Sequence, residues 1–279
     1  MRPRGPDFLA IGAQRSGTTW LHAVLSQHPQ LWLAPVKELH YFDKLHLRRT
    51  LLDAHERGRV GFSGLAQPGF ALRYWLGARN DAWYGALFAP AQRRGAIAGE
   101  ITPAYAAQSE AVFRRIHAVA PHAKLVFVMR DPIARAWSAL NHAHEKRGGE
   151  PGALPLEEAL ARARRPAVAA RSAYDETIQR LEAVFPAAQL HFAFFDGLRE
   201  DPRRFTTDLL AFLGADPAHA ERLRYPASVN AAARSTPVPP ALARALAEEY
   251  LPMVRALAAR FGGAPDSWRE RYEALLVSA

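Results

Sequence analysis

Cysteine is absent from the 279 residues, which excludes disulfides, thiolate metal sites and a cysteine nucleophile and fits a reducing compartment. Long apolar runs are absent too: nothing approaches the roughly 18 residues of a membrane span. The first apolar segment, FLAIGA, is too short for the core of a secretion signal. The expectation is a soluble, unprocessed, cytoplasmic protein. Internal repeats, low-complexity tracts and interdomain linkers are missing as well, so one domain over residues 1–279 is expected. Acidic residues are in deficit, 27 Asp and Glu against 36 Lys and Arg, a formal net charge of +9. Such a balance favours nucleic acid, an anionic cofactor or a polyanionic substrate, without choosing among them.

What is present reads as alternating strands and helices. Phe8 to Ile11 is a short apolar run ending in glycine, after which Leu21, Val24 and Leu25 recur at helical spacing until His28 and Pro29. Further apolar runs at 31–34 and 96–99 each lead into polar clusters. The sharpest strand is KLVFVMR, Lys124 to Arg130, followed by Asp131 and Pro132, a favourable cap and first-turn pair. Ile133, Trp137 and Leu140 mark the buried face of the helix that follows. A helix over 174–185, the strand QLHFAFF and a helix carrying Phe205, Leu209 and Phe212, closed by Gly214, continue the alternation. From Pro240 the pattern is helical, and Pro252 is expected to kink or divide that helix. Residues 44–95 show no sustained period and read as irregular with short helices. The stretch EKRGGEPGALP, 145–155, reads as a mobile surface loop able to lie over a site.

The loop GAQRSGTT is defined by another absence. Gly12 and Gly17 have the spacing of a phosphate-binding loop, yet Thr18 stands where nucleotide hydrolases carry lysine. A glycine turn between a strand and a helix N-terminus aims N–H groups and the positive end of the helix dipole at one point, so an anion belongs there. With Arg15 as the early cation and no γ-phosphate lysine, the loop suits a nucleotide whose 5′ group is shorter than a triphosphate.

The string RSGTTWL in that setting resembles the 5′-phosphosulfate loop of sulfotransferases that use 3′-phosphoadenosine 5′-phosphosulfate. LVFVMRDPIARAWSALNHAHEKRG is similar to the 3′-phosphate element of the same enzymes, with Arg130 ending a strand and Ser138 eight residues on. The physics agrees, since Arg130 can fork onto a phosphate and Ser138 can add a hydroxyl. The resemblance implies an α/β fold of the P-loop three-layer type, a central parallel sheet flanked by helices. It implies no metal, and cofactor contacts from Arg15, Ser16, Gly17, Thr18, Thr19, Trp20, Arg130 and Ser138. Leu140 stands where relatives often have an aromatic residue, and His142 is left out of the catalytic set.

VKELHYFD, 36–43, resembles the segment that carries the general base of the bacterial and Golgi carbohydrate-sulfotransferase branch, with Glu38 on that position. Arg15 stands where many relatives have a lysine that donates to the bridging oxygen. Arginine hardly releases a proton, so charge stabilisation is expected of it. Lys37 is a rival for the leaving-group role, and His40 a rival for the base. GEITPAYA resembles a glycan-sulfotransferase motif but has Ile101 in place of lysine. SVNAAARSTPVP resembles a late basic loop that closes on the cofactor, with Asn230 and Arg234 as its contacts. The implied activity is sulfuryl transfer to a hydroxyl or amine of a saccharide, glycolipid or small molecule.

Three other classes stay in view. A nucleotide kinase or hydrolase should carry the loop lysine and a strand ending in aspartate, which Thr18 and Arg130 oppose. A nucleic-acid module would use the +9 charge, but the aromatics lie in apolar periodic segments and no such binding motif is present. A non-catalytic nucleotide or glycan binder is the third, and the joint presence of Glu38, Arg15, Arg130 and Ser138 favours an enzyme over it.

Overall fold

Alternation within two strands organises the whole molecule. Successive side chains of a strand point to opposite faces. Accordingly Leu9, Ile11, Leu125, Phe127 and Met129 enter one apolar cluster while Phe8, Ala10, Val126 and Val128 enter another. A strand buried on both faces has to be covered by helices on both. The computed structural model, which describes residues 4–43, 67–150, 152–226 and 236–277, shows this arrangement.

The strands are β1 (Phe8–Gly12), β2 (Leu31–Leu33), β3 (Ile97–Ile101), β4 (Lys124–Met129) and β5 (Leu190–Phe194). They form one sheet in the order β2-β3-β1-β4-β5, and every pairing is parallel. The P-loop-type α/β architecture expected from the sequence is therefore the one observed. The main helices are α1 (Thr18–Leu25), α2 (Pro68–Leu76), α3 (Asp81–Gln92), α4 (Glu110–Val119), α5 (Pro132–Glu145) and α6 (Leu156–Ala163). Beyond them come α7 (Tyr174–Glu182), α8 (Pro202–Leu213), α9 (Pro240–Phe261) and α10 (Ala264–Val277). Helices α1 and α8 cover one face, through Leu21, Val24, Leu209 and Leu210. The opposite face takes α3, α4, α5, α7, α9 and α10.

Because β1 lies between β3 and β4, the loops leaving the carboxyl ends of β1 and β4 are neighbours in space. Chain order reverses about β1, and in open parallel sheets a crevice outside the strand ends forms at such a point. Gly12, the last residue of β1, is held tightly there: a Cβ on it would lie 2.5 Å from that of Ala106.

Of the kink or division expected at Pro252, the division is absent: α9 runs from Pro240 to Phe261 as one element. Pro252 is on the exposed side, so the hydrogen bond it forfeits faces water, while Leu251 and Val254 beside it stay buried and hold the helix on the core. Of the stretch 44–95, expected to be irregular with short helices, residues 67–95 contain the nine-residue α2 and the twelve-residue α3. The remainder of that stretch, 44–66, lies outside the described residues. No helix among the described residues is long and apolar enough to cross a membrane.

Candidate active site

The chain between β1 and α1 turns through two left-handed residues, Arg15 at φ 71° and Gly17 at φ 80°. At Gly17 that backbone suits glycine alone, since an added Cβ would also lie 2.8 Å from the ring of Phe195. The turn delivers the chain into α1, whose first N–H groups have no intrahelical acceptor. Ser16, 1% exposed, and Trp20, 4% exposed, are packed beneath, and the Ser16 hydroxyl and Trp20 Nε1 have no hydrogen-bond partner among the described residues. Donors without partners beside such a loop fit a bound anion. The Trp20 ring is stacked on Tyr225 with centroids 5.8 Å apart.

The two segments singled out for their sequence meet here. Arg15 Nε donates to Ser138 Oγ at 3.0 Å, across 123 residues of chain. Arg130 Nη1 donates to the Arg15 carbonyl at 2.9 Å, and its guanidinium lies over the Phe195 ring, 5.2 Å from the centroid. Asp131 caps α5, accepting from Ala134 N at 2.9 Å, which fixes the turn that presents Arg130 and the helix that presents Ser138. Burial pushes the Arg130 guanidinium below its ordinary value, partly opposed by Tyr174 and Asp131. It remains a cation at any physiological pH.

The third segment closes the site from the other side. Glu38 N donates to the Ile101 carbonyl at the end of β3, and Tyr41 N donates to Tyr105 Oη. Glu38 and His40 have φ of 61° and 51°, so with Arg15 every non-glycine residue of positive φ among the described residues belongs to this site. Left-handed backbone is disfavoured for such residues and persists where the surroundings impose it. Lys37 Nζ donates to Thr19 Oγ1 at 2.8 Å and to Glu38 Oε1 at 3.3 Å. The charge missing at Thr18 is thus supplied in space by Lys37.

Glu38 is tied on its other oxygen to His40, whose Nε2 approaches Oε2 at 3.2 Å, an ion-pair distance without hydrogen-bond alignment. His40 Nδ1 in turn meets Asp43 Oδ2 at 2.7 Å. Burial favours the neutral form of Glu38, but His40 and the charge of Lys37 together outweigh it and hold the carboxyl at about 2. Below this segment Glu100, 1% exposed, accepts from Thr102 Oγ1 at 2.7 Å and from Tyr105 and Tyr84. Burial raises its pKa despite those donors.

These groups share a cavity of about 800 Å³, lined by Arg15, Gly17, Thr18, Thr19 and Trp20 from the loop, by Lys37 and Glu38, and by Arg130, Ser138 and His142. A model of the sulfotransferase family matches residues 6–219. The chain belongs to the sulfotransferase family. It is 31% identical over 222 residues to human heparan sulfate glucosamine 3-O-sulfotransferase 6, covering 76% of this chain and 53% of that one. It is 25% identical over 231 residues to human bifunctional heparan sulfate N-deacetylase/N-sulfotransferase 2, covering 77% of this chain and 22% of that one. The matched region thus spans about half or less of these curated relatives. Among solved structures, a sulfotransferase from Alicyclobacillus acidocaldarius superposes with a TM-score of 0.64 at 23% identity, over 95% of this chain and 98% of that one. A sulfotransferase domain from the curacin biosynthetic pathway gives 0.52 at 20% identity, over 76% and 75%. Both structural matches speak for the fold.

Within this sulfotransferase, the residues named from sequence fall into three groups. Arg15, Gly17, Thr18, Thr19, Trp20, Lys37, Glu38, Arg130 and Ser138 line the main cavity, and Ser16 lies buried in the same loop. His40, the rival base, is 3% exposed, sits behind Glu38 and borders only a smaller recess. Asn230 and Arg234 lie outside the described residues, while Pro226 and Thr236 on either side of that stretch line the cavity. Ile101 is 1% exposed in the apolar layer below the sheet, so the position offers no side chain to the cavity. The end of the 145–155 stretch that lies nearest the site contributes Glu145, from the last turn of α5.

Sequence reasoning missed Gln14, Trp137 and Arg171 as cavity-lining residues. Trp137 was read only as core, and its Nε1 donates to the Thr236 carbonyl at 2.7 Å, tying α5 to the chain entering α9. Arg171, just ahead of α7, carries no local sequence signal.

Proposed function

We propose that this sulfotransferase moves a sulfuryl group from 3′-phosphoadenosine 5′-phosphosulfate to a hydroxyl or amine of a saccharide, glycolipid or other small-molecule acceptor by in-line displacement. The observation that carries the reading is the link of Arg15 Nε to Ser138 Oγ at 3.0 Å. It brings the loop suited to a 5′ phosphosulfate and the segment suited to a 3′ phosphate onto one cavity that also holds Glu38.

The residues present fit that donor. The turn at Gly17 and the start of α1 would hold the 5′ group, Arg130 and Ser138 the 3′ phosphate, and the Trp20 ring would face the base. When bound, the donor supplies sulfur already activated by its bond to phosphate, the bond that breaks as the acceptor oxygen or nitrogen takes the sulfuryl group. Arg15 and Lys37 stand where negative charge gathers on the departing phosphate. Glu38 receives the acceptor proton. A carboxylate held at about 2 is a weak base but is ionised at every working pH, and the acceptor proton grows acidic as its bond to sulfur forms. The buried position of His40 fits a different part from base: it holds Glu38 in place through its contacts to Glu38 and Asp43.

A saccharide acceptor is supported by the relatives, whose names place their activity on heparan sulfate. The test is transfer of radiolabelled sulfate from the donor to a panel of saccharides and small hydroxyl and amine compounds. Label appearing in an acceptor, and lost in Glu38→Gln, is the expected result; phosphoryl transfer from ATP in its place would overturn the reading.

A further inference from the structure

A second recess of about 270 Å³ opens beside the main cavity, and Glu38, Gln14 and Arg171 border both. Its remaining walls include His40, Asp43 and Gln108 on one side and Ala167 and Ala170 on the other. If the donor occupies the main cavity, Glu38 stands on the boundary between donor and recess, where the group to be sulfated has to arrive.

The recess carries groups of opposite charge. Glu38 and Asp43 flank His40, Glu38 engaged by Lys37 and His40 and Asp43 by His40 through Oδ2. Arg171 follows the short helix Pro166–Ala169 and is partly buried. Among the described residues its guanidinium has no carboxylate partner, although elsewhere on this chain arginines pair with acids readily, as Arg255 does with Glu273 and Arg260 with Glu182. The charged neighbour that bears on Arg171 is another cation, Arg135. Arg135 is fully buried, donates from Nε to Ser172 Oγ at 2.8 Å, has the Tyr250 hydroxyl as a further polar neighbour, and has no carboxylate partner among the described residues. Two guanidinium groups without a protein counter-charge, one of them facing a recess, make a strong site for an oxyanion.

Resting on the sulfotransferase reading above, we infer that the recess is the acceptor chamber and that Arg171 selects an acceptor carrying an oxyanionic group, a carboxylate or a sulfate. The hydroxyl or amine to be sulfated turns toward Glu38 and the oxyanion toward Arg171, so the two side chains fix which group is presented. The volume is below the range usual for drug-sized ligands, which suits one sugar ring or a compact metabolite within it.

The experiment is calorimetry on the full chain saturated with adenosine 3′,5′-bisphosphate, titrated with methyl glucuronide, methyl glucoside 6-sulfate and neutral methyl glucoside. Tighter binding of either anionic probe than of the neutral one, by about tenfold or more, is expected, and the better probe tells carboxylate from sulfate. Arg171→Gln should erase that preference and Arg171→Lys keep part of it, both with unchanged affinity for the bisphosphate. Equal binding of all three probes by the wild type, or no binding of any, overturns the inference without recourse to a variant. So does a preference that survives Arg171→Gln. Weakened bisphosphate binding in Arg171→Gln would reassign Arg171 to the donor and also overturn it. Failure of the wild type to bind the bisphosphate at all is a separate result, which strikes the donor reading.

Discussion

The two halves proposed for the site, one for the donor and one for the acceptor, are built in different ways. The donor half comes from two unbroken stretches, 8–21 and 124–138, each a strand, a turn and a helix, and the two strands are adjacent in the sheet. The acceptor half is assembled from pieces far apart in the chain: the 36–43 segment, the turn after β3 and the residues before α7. A contiguous stretch carries its own geometry, because strand direction, turn and helix dipole follow from local sequence. A composite surface has no such local cause and is read only once the chain is folded.

That contrast is sharpest at Glu38. Glu38→Gln is expected to lower turnover by about 10² to 10⁴, the range for a positioned base, with affinity for adenosine 3′,5′-bisphosphate unchanged. Parallel losses in turnover and nucleotide affinity, measured by steady-state kinetics and calorimetry, would show that the halves are not separable. In the donor half, Arg130→Ala is expected to weaken bisphosphate binding by about 1.5 to 3 kcal/mol, the range for hydrogen bonds to charged groups. Equal affinity would remove Arg130 from the donor site.

Gly17→Ala tests the turn itself. A non-glycine residue in left-handed backbone costs about 1 to 2 kcal/mol, and the contact with Phe195 adds to it. Lower stability in denaturant together with weaker bisphosphate binding is expected, and a variant of wild-type stability would show that the turn tolerates a side chain.

The smallest effect concerns pH. The folded-state pKa of Glu38 is depressed from 4.5 to about 2, so its ion pairs contribute stability that is fully present above 4.5 and is lost as pH falls toward 2. The stability difference between the wild type and Glu38→Gln should therefore shrink as the pH drops through this window. Activity should show no acid limb from Glu38 above about pH 4. A limb that disappears in Glu38→Gln would show that the carboxyl titrates higher in the working enzyme.

Legibility followed the same division. The five strands and the strand-turn-helix form of 8–21 and 124–138 are readable because apolar runs and glycine turns report local structure. Even so, the sequence could place Arg15 and Ser138 only in the same site, and the hydrogen bond between them follows from the parallel pairing of β1 and β4. α3 is not delimited by the sequence pattern: Trp83, Tyr84, Leu87, Phe88 and Ala91 do recur on one face, but the other face carries Ala82, Ala86 and Ala89 in place of a polar stripe, and Pro90 lies within the helix. At Pro252 local propensity argues for a kink or a division, and packing of Leu251 and Val254 on the core keeps the helix in one piece. Glu38 is favoured over His40 in VKELHYFD only through the resemblance, since burial, which the segment does not report, decides which of them faces the cavity. Arg171 carried no local signal, its environment being set by Arg135 and by a recess whose other walls come from elsewhere.

The most direct test of the account is calorimetry of the wild-type protein with adenosine 3′,5′-bisphosphate, beside ATP with magnesium and beside AMP. Binding of the bisphosphate well above both controls is predicted, because Arg130 and Ser138 are placed for a 3′ phosphate that ATP and AMP lack. Preference for magnesium ATP, or no distinction between the bisphosphate and AMP, would contradict the assignment of the Arg15, Arg130 and Ser138 cluster to the donor.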